Sequence, residues 1–290
     1  MDQLDIIAAF TTTPPPQDFV LPGFLSGSVG ALVAPGSTGK SMLALQLACA
    51  VASESPSANT TGLRIDRHGS VLYINLEDPP TEVQRRLHAL GQRFDLDTRE
   101  SVADSLRMVP RMGLPTDVMN TKFFERELLP AAEGCRLVII DTLSRAHGCD
   151  ENDNGAMARV VARLEQVVRK TGAAVLFLHH TSKAAALAGQ GGMAQAARGA
   201  SALIDNARWC GNLMKMTQEE AESLRESSGL QIGEERRGFF VRYEIGKQNY
   251  GQVENGHWYE RTAGGVLRPV TLVKASRGSS KNDARRRDDI

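Results

Sequence analysis

The sequence predicts an α/β fold built on an open, doubly wound, mainly parallel sheet, with antiparallel strands added towards its C-terminus. Three observations lead there. Four short runs rich in Val, Ile and Leu (VGALVAP, SVLYINLE, CRLVIID and AAVLFLHH) do not alternate with polar residues, the stretches between them have helical periodicity, and a phosphate-loop pattern sits at the first strand-to-helix junction. Strands without alternation are buried on both faces, which requires helices on each side of a parallel sheet. The order βαβα is the mark of the doubly wound class.

Taken in chain order, residues 1–28 read as a short amphipathic segment, a stiff Pro14-Pro15-Pro16 spacer and an approach loop, together an arm that packs on a neighbouring subunit. The main domain is expected from 29 to 274, with helices over 40–53, 80–91, 121–133 and 155–171. Asp153 or Asn154 is placed to cap the last of these and Gly172 to end it. Asp78 is placed to cap the helix that begins at Pro79 or Pro80. A Gly/Ala/Gln-rich loop follows Thr181, and ARWCGNLMKM, GFFVRYEIGKQNY, HWYERT and GVLRPV read as strands that extend the sheet antiparallel, with turns at 249–251 and 254–256. Residues 275–290 are polar and of mixed charge and read as a disordered tail.

Composition removes several function classes. Among 290 residues, 34 Lys and Arg balance 34 Asp and Glu, so the chain does not hold nucleic acid or an anionic membrane by its overall field. A hydrophobic share of 41% is enough for a proper core. No run of 18 apolar residues spans a membrane, and the N-terminus has no basic start of a secretory signal. Four cysteines without a CxxC pair argue against a zinc knuckle or a disulfide framework and fit a cytoplasmic location.

The chemistry gathers where open α/β sheets collect ligands, at the C-terminal ends of strands. Ala34-Pro35-Gly36-Ser37-Thr38-Gly39-Lys40-Ser41 matches GxxxxGK[ST] at Gly39, Lys40 and Ser41, with Ala34 in place of the leading glycine. Backbone N–H groups over Gly36 to Gly39 would wrap a polyphosphate, Lys40 would contact it and the Ser41 hydroxyl would face Mg2+. Ala34 tolerates a positive φ poorly, so it either has ordinary dihedrals or fits imperfectly, and Gly36 is expected to supply the missing freedom. Asp141 ends the strand LVIID and is the candidate for the Mg2+-supporting carboxylate. Thr142 follows it and cannot act as a base, so Glu77, after SVLYIN, is the candidate that activates water. His179 and His180 end a strand that feeds the long loop, and His180 is the candidate phosphate sensor.

Phosphate loop, Glu77, Asp141 and His180 in this order resemble the RecA/DnaB superfamily of ring-forming P-loop ATPases. YINLEDPP with RLHALG, LVIIDTLSR, FLHHTSK, ARGASALIDNARW and GKQNYG with GGVLRP resemble the RepA-type hexameric replicative helicases of broad-host-range mobilisable plasmids, from about residue 4 to about 272. The resemblance implies a RecA-like fold and a homo-hexamer that hydrolyses ATP or another NTP with Mg2+ and moves 5'-to-3' on single-stranded DNA in a central channel. It implies a neighbour-supplied cation, for which Arg208 is the first candidate, Lys247 the second and Arg198 a third, and channel loops offering Arg145, Lys183 and Arg198 to DNA. Any initiator or primase would be a separate chain. Two further readings stay open: a RecA-like DNA-dependent ATPase that does not unwind, and a nucleotide-gated DNA-binding regulator.

Overall fold

A computed structural model describes residues 3–181, 201–251 and 256–275. The parallel part of its main sheet holds β3 (Val29–Ala34), β4 (Val71–Asn75), β5 (Leu106–Pro110), β6 (Leu137–Asp141), β7 (Ala174–His180) and β8 (Trp209–Lys215). Three strands, β10 (Phe240–Gln248), β11 (His257–Arg261) and β12 (Leu267–Val270), continue it antiparallel. The order across the sheet is β12-β11-β10-β8-β3-β7-β6-β4-β5. A small hairpin, β1 (Phe19–Leu21) with β2 (Phe24–Leu25), precedes the sheet, and β9 (Leu224–Glu226) pairs with β13 (Leu272–Lys274) beside it.

Alternate residues of the same strands feed two cores, as burial on both faces requires. Leu32, Tyr73, Ile139 and Leu176 pack with helix α2 (Lys40–Ala52). Val33, Ile74, Ile140 and Phe177 pack with the opposite layer, which includes α6 (Asn154–Thr171) and α7 (Ser201–Asn206). α2 is buried all round apart from Ser41, which explains its continuous apolar sequence. α3 (Pro80–Gly91) and α4 (Leu96–Ser105) lie between β4 and β5. α5 joins the α-helical Thr121–Phe123 and Leu129–Ala132 through a π-helical turn at Phe124–Leu128. α8 (Gln218–Ser223) and α9 (Glu234–Arg237) flank β9.

The four expected helices form within a residue of their expected bounds, α3 to the residue, whereas α4, α7, α8 and α9 were not expected. Asp153 is the cap of α6, accepting from the N–H groups of Gly155 (2.8 Å) and Ala156 (3.1 Å), and Gly172 ends it at φ 76°. Two expectations are corrected. The strand in ARWCGNLMKM is parallel to β3, because α7 delivers the chain to the same sheet edge from which β3 starts: the Arg208 N–H donates to the Val29 carbonyl at 2.8 Å. Asp78 is not a helix cap; α3 has Pro79 at its N-cap without a side-chain bond, and Asp78 instead pairs with Arg86 through two bonds of 2.7 and 3.0 Å. The expected turn at 254–256 lies partly outside the described residues.

The arm divides in two. α1 (Ile6–Thr11) has no buried residue, and Leu4, Ile7 and Phe10 are more than 70% exposed. Residues from Asp18 onward belong to the body. Val20, Leu21 and Phe24 are buried in the α2-side core, Phe24 stacks on Trp209 at 5.1 Å, and the Trp209 indole N–H donates to the Pro22 carbonyl. A side chain at Gly30 would strike both rings, so the stack needs a glycine there. Arg136 clamps Asp18 through two bonds of 2.9 and 2.7 Å. Of the expected tail only Ala275 is described. Lys183, Arg198 and the Gly/Ala/Gln-rich loop lie outside the described residues.

Candidate nucleotide site

The parallel register brings Ala34, Asn75, Asp141 and His180 to one sheet edge, since Ala34 pairs with His180 and Asn75 with Asp141. Ala34 is an ordinary buried strand residue whose carbonyl accepts from the Thr181 N–H at 3.1 Å. The leading glycine is dispensable because the ladder with β7 runs through this position. The freedom expected of Gly36 lies elsewhere, with positive φ at Ser37 (59°) and Gly39 (104°). Thr38 is buried and donates to the Pro35 carbonyl at 2.8 Å, which closes the loop on itself.

Lys40 opens α2 with its ammonium buried and without a hydrogen-bond partner among the described residues. Burial pulls its pKa down to about 8 against the opposing charges of Asp141 and Glu77. A buried cation with unused donors at the first turn of a helix, under a loop of backbone N–H groups, fits a polyphosphate. The Ser41 hydroxyl donates to Asp141 Oδ1 at 3.2 Å, and Tyr73 donates to Asp141 Oδ2 at 2.8 Å. Burial raises the pKa of Asp141, with the Tyr73 and Ser41 bonds pulling the other way. Among the described residues no three His, Cys, Asp or Glu side chains form a metal cage. A divalent cation held by Ser41 and Asp141 would draw its other ligands from phosphate and water, as Mg2+ does.

Glu77 stands beside this pair on the loop after β4. Its Oε1 accepts from the Thr142 hydroxyl at 3.0 Å and lies 3.5 Å from His180 Nε2. The His180 contact, together with Thr142 and the charge of Lys40, holds its pKa down at about 2 against partial burial. His179 is buried, its pKa lowered to about 4 by burial and then by the Lys40 charge. The edge therefore presents a buried cation, an ionised carboxylate oriented by two neighbours, and a second carboxylate on a hydroxyl, the parts that phosphoryl transfer to water uses.

Arg208 and Lys247 are not brought to this edge. Arg208 is exposed and precedes β8 beside Val29, at the start of β3, so the six-residue strand separates it from the phosphate loop by about 17 Å. Lys247 pairs with Cys210 near the same far edge, and its ammonium donates to the carbonyls of Ile204 (3.0 Å) and Asp205 (2.6 Å) at the end of α7. Arg145 is exposed in a 3-10 turn (Leu143–Arg145) after β6.

Sequence reasoning missed four contributors: Tyr73, Asn75, Thr142 and Arg261. Arg261 ends β11 and donates to the Ser37 carbonyl at 3.0 Å from outside the loop. The spacing Tyr73, Asn75, Glu77 was the available signal, polar groups at every second position at the end of an otherwise apolar run. Among the described residues no helix is long and apolar enough to cross a membrane.

Two comparisons with known proteins bear on this geometry. The chain is similar in structure to a solved ATPase domain, that of the protein G-40-P, with a TM-score of 0.55 and 17% sequence identity over 83% of this chain and 84% of that one. The likeness establishes a RecA-like P-loop ATPase fold. A family model described as AAA domain matches residues 2–186. That match covers more than half of the sequence and includes the phosphate loop, Glu77, Asp141 and His180, and the chain belongs to the AAA domain family.

Proposed function

We propose that this chain is the subunit of a hexameric, NTP-driven DNA helicase that moves 5'-to-3' on single-stranded DNA, of the RepA type that serves plasmid replication. The observation that carries the reading is the division of the site: phosphate loop, Glu77 and Asp141 share one sheet edge, while Arg208 stands at the other. A guanidinium placed there reaches a phosphate only in a second copy of the chain, which is how ring ATPases complete their sites. The resemblance to RepA-type helicases supplies the substrate and the polarity.

In this mechanism Lys40 and the N–H groups of residues 36–39 bind the phosphates of ATP or another NTP. Ser41 and Asp141 would hold Mg2+, which when bound would offset charge on the phosphate oxygens. Glu77 orients a water and accepts its proton, Thr142 and His180 fix the carboxylate, and His180 passes the occupancy of the site to the loop that follows β7. Arg208 of the neighbour, or Lys247 after leaving its carbonyl partners, stabilises charge on the transferring phosphoryl group, a contribution of roughly 10³–10⁵ in rate in related chemistry. Arg145, Lys183 and Arg198 contact the DNA backbone, weakly per subunit and additively around a ring.

The test is ATP-dependent strand displacement on a forked duplex, with Lys40→Ala as control. Displacement by the wild-type chain on a 5' tail is expected. DNA-stimulated hydrolysis without displacement on either tail would replace the helicase by a non-unwinding ATPase, and absence of turnover would replace it by a nucleotide-gated regulator.

A further inference from the structure

The two oxygens of Asp141 have unlike surroundings. Oδ1 takes the Ser41 hydroxyl at 3.2 Å, at the phosphate loop. Oδ2 turns into the protein, where Tyr73 donates to it at 2.8 Å and Asn75 Nδ2 stands 3.5 Å away. The Tyr73 hydroxyl is also 3.3 Å from the Ser41 carbonyl, so one phenol touches both the carboxylate of β6 and the backbone of α2. Tyr73 is 1% exposed, with its ring in the core between the sheet and α2. It carries one proton, and the shorter, charge-assisted bond to Oδ2 is the one it makes.

We infer that Tyr73 is a positioning residue that limits Asp141 to presenting a single oxygen, and thereby selects a small octahedral cation over a larger one. The inference rests on the nucleotide reading above. Mg2+ demands near-octahedral geometry and takes one oxygen from a carboxylate, whereas Ca2+ accepts more ligands and bidentate carboxylates at longer distances. With Oδ2 engaged by Tyr73 and Asn75, the bidentate mode is closed. Freeing Oδ2 would strand a buried phenolic hydroxyl whose other near acceptor is a helix carbonyl.

Tyr73→Phe in the full chain removes the hydroxyl and keeps the ring. Binding of a fluorescent ADP analogue is measured in EDTA, then across Mg2+ and Ca2+ titrations, and hydrolysis is followed in parallel. Expected are a half-saturating Mg2+ concentration raised about tenfold and a smaller change for Ca2+, each referred to the binding measured in EDTA, so that the preference for Mg2+ narrows. An unchanged Mg2+ to Ca2+ ratio overturns the inference. Should the variant lose metal-free binding, the wild-type titrations decide, with a preference for Mg2+ over Ca2+ expected and the lack of one decisive against the inference. A wild-type chain whose nucleotide binding ignores Mg2+ refutes the nucleotide reading itself, whereas a responsive wild type whose Mg2+ to Ca2+ ratio is unchanged in Tyr73→Phe refutes only the role of Tyr73.

Discussion

Lys40 sets function against stability within one side chain. Its buried ammonium makes no hydrogen bond among the described residues, a state that costs free energy until an anion arrives. Lys40→Met is therefore expected to abolish nucleotide binding while raising unfolding stability by about 1 kcal/mol, measured by fluorescence titration and by urea denaturation. Equal or lower stability would show that the ammonium is already satisfied. Glu77 gives the opposite sign with pH. Its native pKa near 2 lies below the 4.5 of an unperturbed glutamate, so its contribution is present above about pH 4.5 and is lost as the pH falls towards 2. Wild type should lose roughly 1–2 kcal/mol more than Glu77→Gln between pH 5 and 3, read from urea midpoints, and parallel losses would remove the assigned contact with His180. Lys40, Ser41, Glu77, Asp141 and His180 were legible because each sits at a strand end or in a loop pattern that local sequence reveals. Tyr73 and Thr142 were not, since a hydroxyl joins the site only through the register of β4 against β6.

At the scale of elements, the phosphate-loop helix is tied to the far antiparallel strands. Gln46 donates to the Leu267 carbonyl (2.8 Å), accepts from the Leu267 N–H (2.9 Å) and donates to Thr60 (2.8 Å), all from within the core. A glutamine in an apolar helix reads as a blemish in the sequence, yet here it completes the β12 ladder, which no further strand continues among the described residues. Gln46→Leu would strand the Leu267 N–H and carbonyl, and a destabilisation of about 2–4 kcal/mol is expected from two buried unsatisfied groups, checked by urea denaturation. A loss below 1 kcal/mol would mean that β12 is not anchored there. The four apolar parallel strands and their helices were readable from periodicity. β5 was not, because it is an edge strand with only partial burial and an exposed Arg107. Nor was the direction of β8, which is fixed by where α7 releases the chain and not by anything in the strand itself.

For the whole molecule, zero net charge turns from an obstacle into a constraint, since cations must act at particular edges instead of through a general field. Arg208 and Lys247 gather at the edge away from their own phosphate loop; the charge of Arg208 adds to burial in lowering the pKa of Lys247. If a neighbour's Arg208 completes each site, the interface is heterologous, with a phosphate loop facing the far edge of the next copy. The exposed apolar α1, tethered through Pro14-Pro15-Pro16 to a body that starts at Asp18, is the piece available to clasp that neighbour. Removal of residues 2–16 spares the Asp18–Arg136 clamp and the β1–β2 hairpin, so native mass spectrometry should find folded chains with fewer hexamers; a cut at Phe24 would instead breach the core. The decisive measurement mixes two inactive chains, Lys40→Ala and Arg208→Ala, under conditions that let subunits exchange. Each variant alone lacks one half of every site. In a random ring, about one interface in four joins an intact Lys40 to an intact Arg208, so the mixture should recover about a quarter of wild-type hydrolysis at independent sites. Recovery requires both the ring and the trans-acting guanidinium. A mixture as inactive as its components, with exchange verified by mass, would leave Arg208 a surface residue and return the search for the missing cation to Lys247 and Arg198.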